Sequence, residues 1–295
     1  MKGGIAIKRK ILIISVAIFA LLFALGITLY PVISTTYNQK HQSLIHAQYQ
    51  EQLKQADDSA IRKARELADA YNKALRPGAQ ANSDPDNDLF AEATEDYKNH
   101  LNITANGIVG YVSIPSLQVH LPIYHGTGTQ TLEKGVGHLL GSSLPVGGGS
   151  THSILSAHSG MANKKMFSDL PQLKIGDIFY LEVLGETLAY QVDQIEVVLP
   201  HDTTYLGIEE NRDLCTLVTC TPFGVNTHRL LVRGTRIPFE EAEVIVAETV
   251  RTEEPASTWE QEYLKGLYIG VGSAAALGLI VFGCWIYRRC KHERA

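Results

Sequence analysis

Two stretches of this chain carry no charged residue: Ile11–Tyr30, twenty residues, and Gly266–Tyr287, twenty-two. At about 1.5 Å of rise per residue, either can cross a hydrocarbon core of about 30 Å as a single helix. The sequence therefore predicts two membrane-spanning helices and argues against a cytosolic protein. Basic side chains stand at the outer end of each run, Lys2, Lys8, Arg9 and Lys10 before the first and Arg288, Arg289, Lys291 and Arg294 after the second. An excess of Lys and Arg marks the cytosolic side, so both ends are expected in the cytosol and residues 31–263 outside the cell membrane. The first run is long for the apolar centre of a cleaved signal peptide, and no small-x-small site follows it near 29–32, so an uncleaved anchor is expected. Residues 31–263 hold 17 basic against 30 acidic side chains. So acidic a region is a poor candidate for binding nucleic acid.

Between the two runs the hydrophobic period changes. Ile45, Tyr49, Leu53, Ala56, Ala60, Ala64, Leu67, Tyr71 and Leu75 recur at steps of three and four, which predicts one helical face from Gln39 to Leu75, packed on a globular domain or, as the alternative, forming a stalk. Arg76-Pro77-Gly78 ends it. A polar, Pro-, Asp- and Asn-rich loop follows over 77–90, then a short helical piece to about Leu101. From about residue 106 the period becomes two. Gly107–Ile114, Val119–Tyr124, Ser153–Ala157, Ile178–Leu184, Leu188–Val198, Leu214–Cys220 and His228–Gly234 read as strands, with a hairpin turn at Gly185-Glu186-Thr187 and one helix over Lys164–Leu170. Many short strands with Gly and Pro turns imply a mainly β domain, a barrel or sandwich. The expected organisation is a basic end and anchor over 1–36, a helical region over 37–104, a β domain over 105–240, an acidic linker over 241–263, a membrane helix over 264–287 and a basic tail over 288–295.

The outside region contains two cysteines, Cys215 and Cys220, both in one predicted strand. Five residues of strand span roughly 16 Å and an odd spacing points the two side chains to opposite faces. A disulfide requires Cα atoms within about 7 Å, so these two cannot pair within the strand. Cys215 reads as a small buried hydrophobe. Cys220, at the strand end, is the candidate nucleophile, which needs a base and a donor for the oxyanion it creates. Among the histidines His158 is best placed, at the end of a strand opening into a Ser-Gly loop, whereas His138 and His152 read as structural. Arg229 begins the strand after the loop 221–227 and can stand beside Cys220. Its guanidinium offers fixed donors and remains charged at physiological pH. Arg233 lies on the same strand face, further from the loop, and reads as a surface charge.

Taken in order, these segments resemble a known family. Thr216-Leu217-Val218-Thr219-Cys220 is similar to the TLxTC signature of sortases. Leu155-Ser156-Ala157-His158-Ser159-Gly160 resembles the segment holding their histidine, and Asn226-Thr227-His228-Arg229-Leu230-Leu231-Val232 resembles the strand holding their arginine. Gly137-His138-Leu139, Ser143–Gly148 and Thr151-His152-Ser153 match most closely in the class C, pilus-assembling branch. The resemblance covers roughly 105–237. It implies an eight-stranded β-barrel preceded by helices, here flanked by two transmembrane helices. It also implies a transpeptidase on a Gram-positive surface, with Cys220 attacking the Thr–Gly bond of an LPXTG-type sorting signal, Arg229 stabilising the oxyanion and His158 moving the proton. The implied partners are pilin subunits bearing that signal and a pilin lysine as acceptor. Ser159 stands where many relatives carry arginine.

Class C relatives often cover the active site with a lid bearing an Asp-x-aromatic motif. Here Asp84-Pro85 is followed by Asp86, while Asp88-Leu89-Phe90 keeps the spacing without the proline. Asp88 and Phe90 are the expected lid residues, with Asp84 as the alternative; the other reading of the loop is a solvated linker. Other readings are a housekeeping sortase that anchors proteins to a peptidoglycan precursor, a non-catalytic pilus-assembly scaffold, and a secreted cysteine hydrolase. No cofactor is expected. With no CxxC cluster and no acidic loop of calcium-ligand spacing, no metal is expected either.

Overall fold

The computed structural model describes residues 42–75, 95–104, 106–159, 161, 164–252 and 264–273, with isolated helical residues between 15 and 38. The chain divides into two compact units, one of residues 33–256 and one of 1–32 together with 257–295. In the latter the described residues are helical. Among the described residues no helix is long and apolar enough to cross a membrane. The two expected spans, Ile11–Tyr30 and Gly266–Tyr287, lie largely outside the described residues.

The larger unit is built on eight strands: β1 (Ile108–Ile114), β2 (Val119–His125), β3 (Val136–His138), β4 (Thr151–Ser156), β5 (Ile178–Val183), β6 (Glu186–Val198), β7 (Asp213–Thr221) and β8 (His228–Ile237). They close into a barrel in the order β1-β2-β3-β4-β7-β8-β6-β5. The sheet is mixed: β2–β3 and β4–β7 run parallel and the remaining pairs antiparallel. Alternation sends one set of side chains inward. Val112, Ile114, Leu155, Leu181, Cys215, Leu217 and Val232 meet in one buried cluster. In β1 the register shifts between Ile108 and Gly110. This extra residue reverses the parity, so Val109 and Val112 both reach the core while Ile108 and Tyr111 pack outside.

Helices α1 (Asp58–Ala74), α2 (Glu95–Lys98), α3 (Thr129–Lys134) and α4 (Phe239–Thr252) accompany the barrel, together with the helix over 42–55. The single helical face expected from Gln39 to Leu75 is interrupted. Helix over 42–55 stops at Ala56, and Asp57, in extended conformation, caps α1 by accepting from Ser59 N at 3.2 Å. An Asp-Asp-Ser sequence favours a cap over helix continuation because its side chains compete for backbone donors. The break turns the second helix. Ala64 and Tyr71 face the barrel as expected, but Ala60 and Leu67 are exposed and Ile61 and Ala68 take their places. Asn72, also buried, clamps α1 to the loop before β4, donating to Leu144 O at 3.1 Å and accepting from Leu144 N at 2.7 Å.

Several local expectations are corrected. The helix expected over Lys164–Leu170 is a set of turns ending in a 3-10 helix over Leu170–Gln172. Met166 has φ +44°, and Lys165 is drawn inward to Leu117 O at 2.6 Å and to Asp169 at 2.9 Å. The β5–β6 turn is Leu184-Gly185, not Gly185–Thr187: Val183 pairs with Glu186, and both turn residues have positive φ, as a two-residue primed hairpin turn requires. Strand β3 was not predicted, and part of the expected acidic linker is α4, which packs through Ala242, Ile245 and Val246 onto Ile178 and Ala189.

Gly234 of β8 lies against the stacked rings of Phe179 and Tyr190, whose centroids are 5.5 Å apart. A methyl group there would stand 2.6 Å from Phe179 Cε1 and 2.9 Å from Tyr190 Cβ. Gly234→Ala is therefore expected to lower unfolding free energy by about 1–3 kcal/mol, measured by denaturant titration. An unchanged midpoint would mean that the ring pair moves aside freely.

Candidate active site

The site is assembled where β7 is flanked by β4 on one side and β8 on the other. In β7, Cys215 and Leu217 point into the barrel core, whereas Thr216, Val218 and Cys220 point outward. The two cysteines thus separate as their spacing requires. Both are free; Cys215 is fully buried and Cys220 half-buried. Burial pushes the Cys215 thiol well above its ordinary pKa. It is held as an inert thiol inside the fold.

Cys220 and Arg229 are direct register partners across β7 and β8. Residues opposite each other in an antiparallel pair share a face, with Cβ atoms about 4.5–5.5 Å apart. Arg229 Nη1 donates to Asn226 O at 3.3 Å and His228 O at 3.2 Å, so backbone at the end of the 222–227 loop steadies the guanidinium. Further along the same outer face the partners are Val218 with Leu231 and Thr216 with Arg233. Arg233 is not a loose surface charge. It is bound by Asp193 at 2.9 Å and Glu209 at 2.8 Å, and its side chain is only 15% exposed. Arg212 completes this network through the same two carboxylates. Of the two arginines, only Arg229 is opposite the outward cysteine.

His158 lies just beyond β4, whose last register pair with β7 is Ser156 with Val218. The two strands stay joined past that point. Ala157 N donates to Val218 O at 3.1 Å, Thr219 Oγ1 donates to Ala157 O at 2.8 Å, and Ser159 Oγ donates to Cys220 O at 2.8 Å. His158 is therefore bracketed by two residues that are each bonded to the Cys220 end of β7. Ser159, noted in the sequence only as a departure from arginine, supplies one of those bonds. His158 O also accepts from Phe167 N at 3.0 Å, which fixes the following loop. Partial burial lowers the His158 pKa below its ordinary 6.5, while the negative charge of Glu133 pulls it up.

The other two motif histidines are structural. His138 is fully buried, donates from Nε2 to Ser143 O at 2.7 Å and accepts at Nδ1 from Tyr97 Oη. His152 donates from Nδ1 to Gly207 O at 2.8 Å and accepts at Nε2 from Thr216 Oγ1 at 2.7 Å. Burial pushes their pKa values down to about 3 and about 4, so both rings are neutral at physiological pH. The two threonines of Thr216–Cys220 thus have separate uses: one holds a buried histidine and the other holds the strand carrying His158. The expected lid residues Asp84, Asp88 and Phe90 lie outside the described residues.

Comparison with known proteins follows the same residues. A family model described as the sortase domain matches residues 112–237. Sortase D of Bacillus subtilis is 30% identical over 131 residues, 43% of this chain and 63% of that protein. Sortase A of Streptococcus agalactiae is 29% identical over 39% of this chain and 47% of its own length. The chain thus matches about half to three fifths of these relatives. Among solved structures, sortase C-1 of Actinomyces oris is 47% identical, with 61% of this chain and 99% of that chain covered and a TM-score of 0.55. Sortase C of Streptococcus pneumoniae is 44% identical, with 65% and 96% covered and a TM-score of 0.59. The sortase C2 of group B Streptococcus pilus island 1 is 43% identical, with 62% and 100% covered and a TM-score of 0.57. With a closed eight-stranded barrel, the three motif segments on adjoining strands, and a sortase C of which 99% is matched at 47% identity, this chain belongs to the sortase family.

Proposed function

We propose that the protein is a class C sortase: a cysteine transpeptidase, anchored in the cell membrane with its barrel outside, that joins pilin subunits. The observation that carries the reading is the direct pairing of Cys220 with Arg229, with His158 tethered on the other flank through Ser159 and Ala157. The matched structures support the class: one is a sortase C described with its pilin substrate specificity, and another is a sortase C2 of a pilus island. The apolar runs Ile11–Tyr30 and Gly266–Tyr287, each with basic residues at its outer end, support two membrane anchors with 31–263 outside.

In this mechanism Cys220 Sγ attacks the carbonyl carbon of the threonine in an LPXTG-type signal. The carbonyl oxygen becomes an oxyanion facing the Arg229 guanidinium. The Thr–Gly C–N bond breaks as the glycine nitrogen takes a proton from His158, leaving a thioester on Cys220. A pilin lysine amine then attacks the thioester, gives its proton to His158 and releases the Cys220 thiolate as the new amide forms. Incubation of the detergent-solubilised full chain with a pilin bearing the signal is expected to give covalent polymers linked through lysine. Products formed only with a peptidoglycan-precursor amine would favour the housekeeping reading, and no thioester at all would favour a scaffold.

Cys220→Ala is expected to abolish both the thioester and the polymer, while Cys215→Ala leaves both, as followed by mass spectrometry of the acyl-enzyme. Loss of the thioester in folded Cys215→Ala would overturn the assignment of the nucleophile.

Arg229→Lys keeps the charge but replaces a planar fork with a point charge on a flexible stem. A fall in kcat of about 10²–10³ is expected, equivalent to about 2.7–4 kcal/mol. Near-normal turnover would remove Arg229 from the oxyanion role.

The charge of Glu133 favours the imidazolium form of His158. Glu133→Gln is therefore expected to lower the His158 pKa, seen by NMR titration of the ring, and to move the His158 limb of the pH–rate profile to lower pH. A shift upward, or none, would show that Glu133 does not act on this ring.

A further inference from the structure

We propose that His46, His120 and Glu182 bind one zinc ion, which fastens the 42–55 helix to the outer wall of the barrel. The three ligands come from three elements distant in sequence: the 42–55 helix, β2 and β5. Strand β1 lies between β2 and β5, with Ser113 opposite His120 and Tyr111 opposite Glu182, and this brings the two strand ligands to one patch. One ligand atom from each of the three residues falls within 4.8 Å of the others. Donors at about 2.0–2.1 Å from a tetrahedral ion stand about 3.4 Å apart, so small side-chain adjustments close the set.

The hydrogen bonding of the patch is incomplete without a cation. His46 Nε2 lies 3.0 Å from Glu182 Oε2 and 3.3 Å from Gln50 Nε2. Without a cation His46 Nε2 and the Gln50 amide can both donate to Glu182 Oε2. With a cation bound, His46 Nε2 and Glu182 Oε2 both act as electron-pair donors. Gln50, 3.2 Å from the same carboxylate oxygen, can turn its amide to present oxygen as a fourth ligand. His120 Nε2 and Tyr111 Oη are buried and have no hydrogen-bond partner among the described residues. A buried polar atom left unpaired is costly, and the unpaired His120 ring nitrogen points to a group that satisfies it.

The rings are already oriented. His120 stacks on Tyr111 at 5.1 Å with planes 12° apart, and the His46 ring stands edge-on to both, 4.3 Å from His120 and 4.6 Å from Tyr111. Two imidazoles and one carboxylate are a zinc donor set, whereas calcium and magnesium prefer all-oxygen ligands. A cleft lined by Gln42, Ser43, Val119 and His120 opens beside the patch and gives the ion a way in. The patch is centred on β1, which is four strands from β7 in either direction around the closed barrel. The ion would therefore act on the attachment of the helix and not on the reaction at Cys220.

The test uses the full chain in detergent with Cys220→Ala, so that the nucleophile cannot capture metal. One equivalent of Zn2+ is expected to bind by calorimetry and to raise the Tm, and Co2+ at the same site is expected to give the strong visible absorption of a four-coordinate ion. His120→Gln and Glu182→Gln should each weaken Zn2+ binding by at least about 100-fold, more than loss of a supporting group usually does, and remove the Co2+ band. Each variant is compared with its parent in chelator; if His120→Gln changes the Tm there, the isosteric Glu182→Gln carries the comparison. The proposal is overturned if Zn2+ fails to bind the parent, or binds the Glu182→Gln protein as tightly.

Discussion

Strand β7 is held by a parallel neighbour, β4, whose regular ladder stops at Val218, and an antiparallel one, β8, whose ladder runs on to Thr221, and the proposed chemistry at Cys220 depends on both. A parallel pair cannot be closed by a short hairpin and must be registered by other means. Here side chains do it. Thr219 reaches across to Ala157 O and Ser159 to Cys220 O, so the two strands remain bonded where the regular ladder stops. A slip by one residue would turn Cys220 inward and Cys215 outward, since a strand alternates its faces. The register of β4 and β8 on β7 is therefore also what selects the thiol that meets solvent.

The strands that frame the site were legible because each is long enough for a period of two to show, and the Thr216–Cys220, His158 and Arg229 segments carry their residues at strand ends. Strand β3 was not, because three residues, Val136–His138, do not make a pattern. The helix break at Asp57 was masked by Ala and Tyr recurring at helical spacing on both sides of it, although the Asp-Asp-Ser cap was present to be read. One short helix is expected from the sequence over Lys164–Leu170. The pull of Lys165 towards Leu117 O, a partner 48 positions away, decided otherwise, and no local pattern contains that information. The zinc-ligand patch escaped the sequence for the same reason: His46, His120 and Glu182 are neighbours only once the barrel closes.

The histidines illustrate how burial sorts identical side chains. His138 and His152 are enclosed, neutral and used at both nitrogens, so they behave as polar struts. His158 is only partly enclosed; burial still lowers its pKa, and the nearby Glu133 carboxylate opposes that shift in part.

The position of β8 has a mechanical consequence. It is bonded along its length to β6 on one side, from Arg229 to Ile237, and to β7 on the other, from His228 to Thr235, and α4 follows it directly. Antiparallel hydrogen bonds run perpendicular to the strands. Tension entering through α4 would therefore pull β8 along its axis and load both ladders at once in shear, instead of peeling bonds one by one. A covalent load attached at Cys220, as the proposed reaction requires, would enter the neighbouring strand of the same ladder and be shared with β8 through their perpendicular bonds.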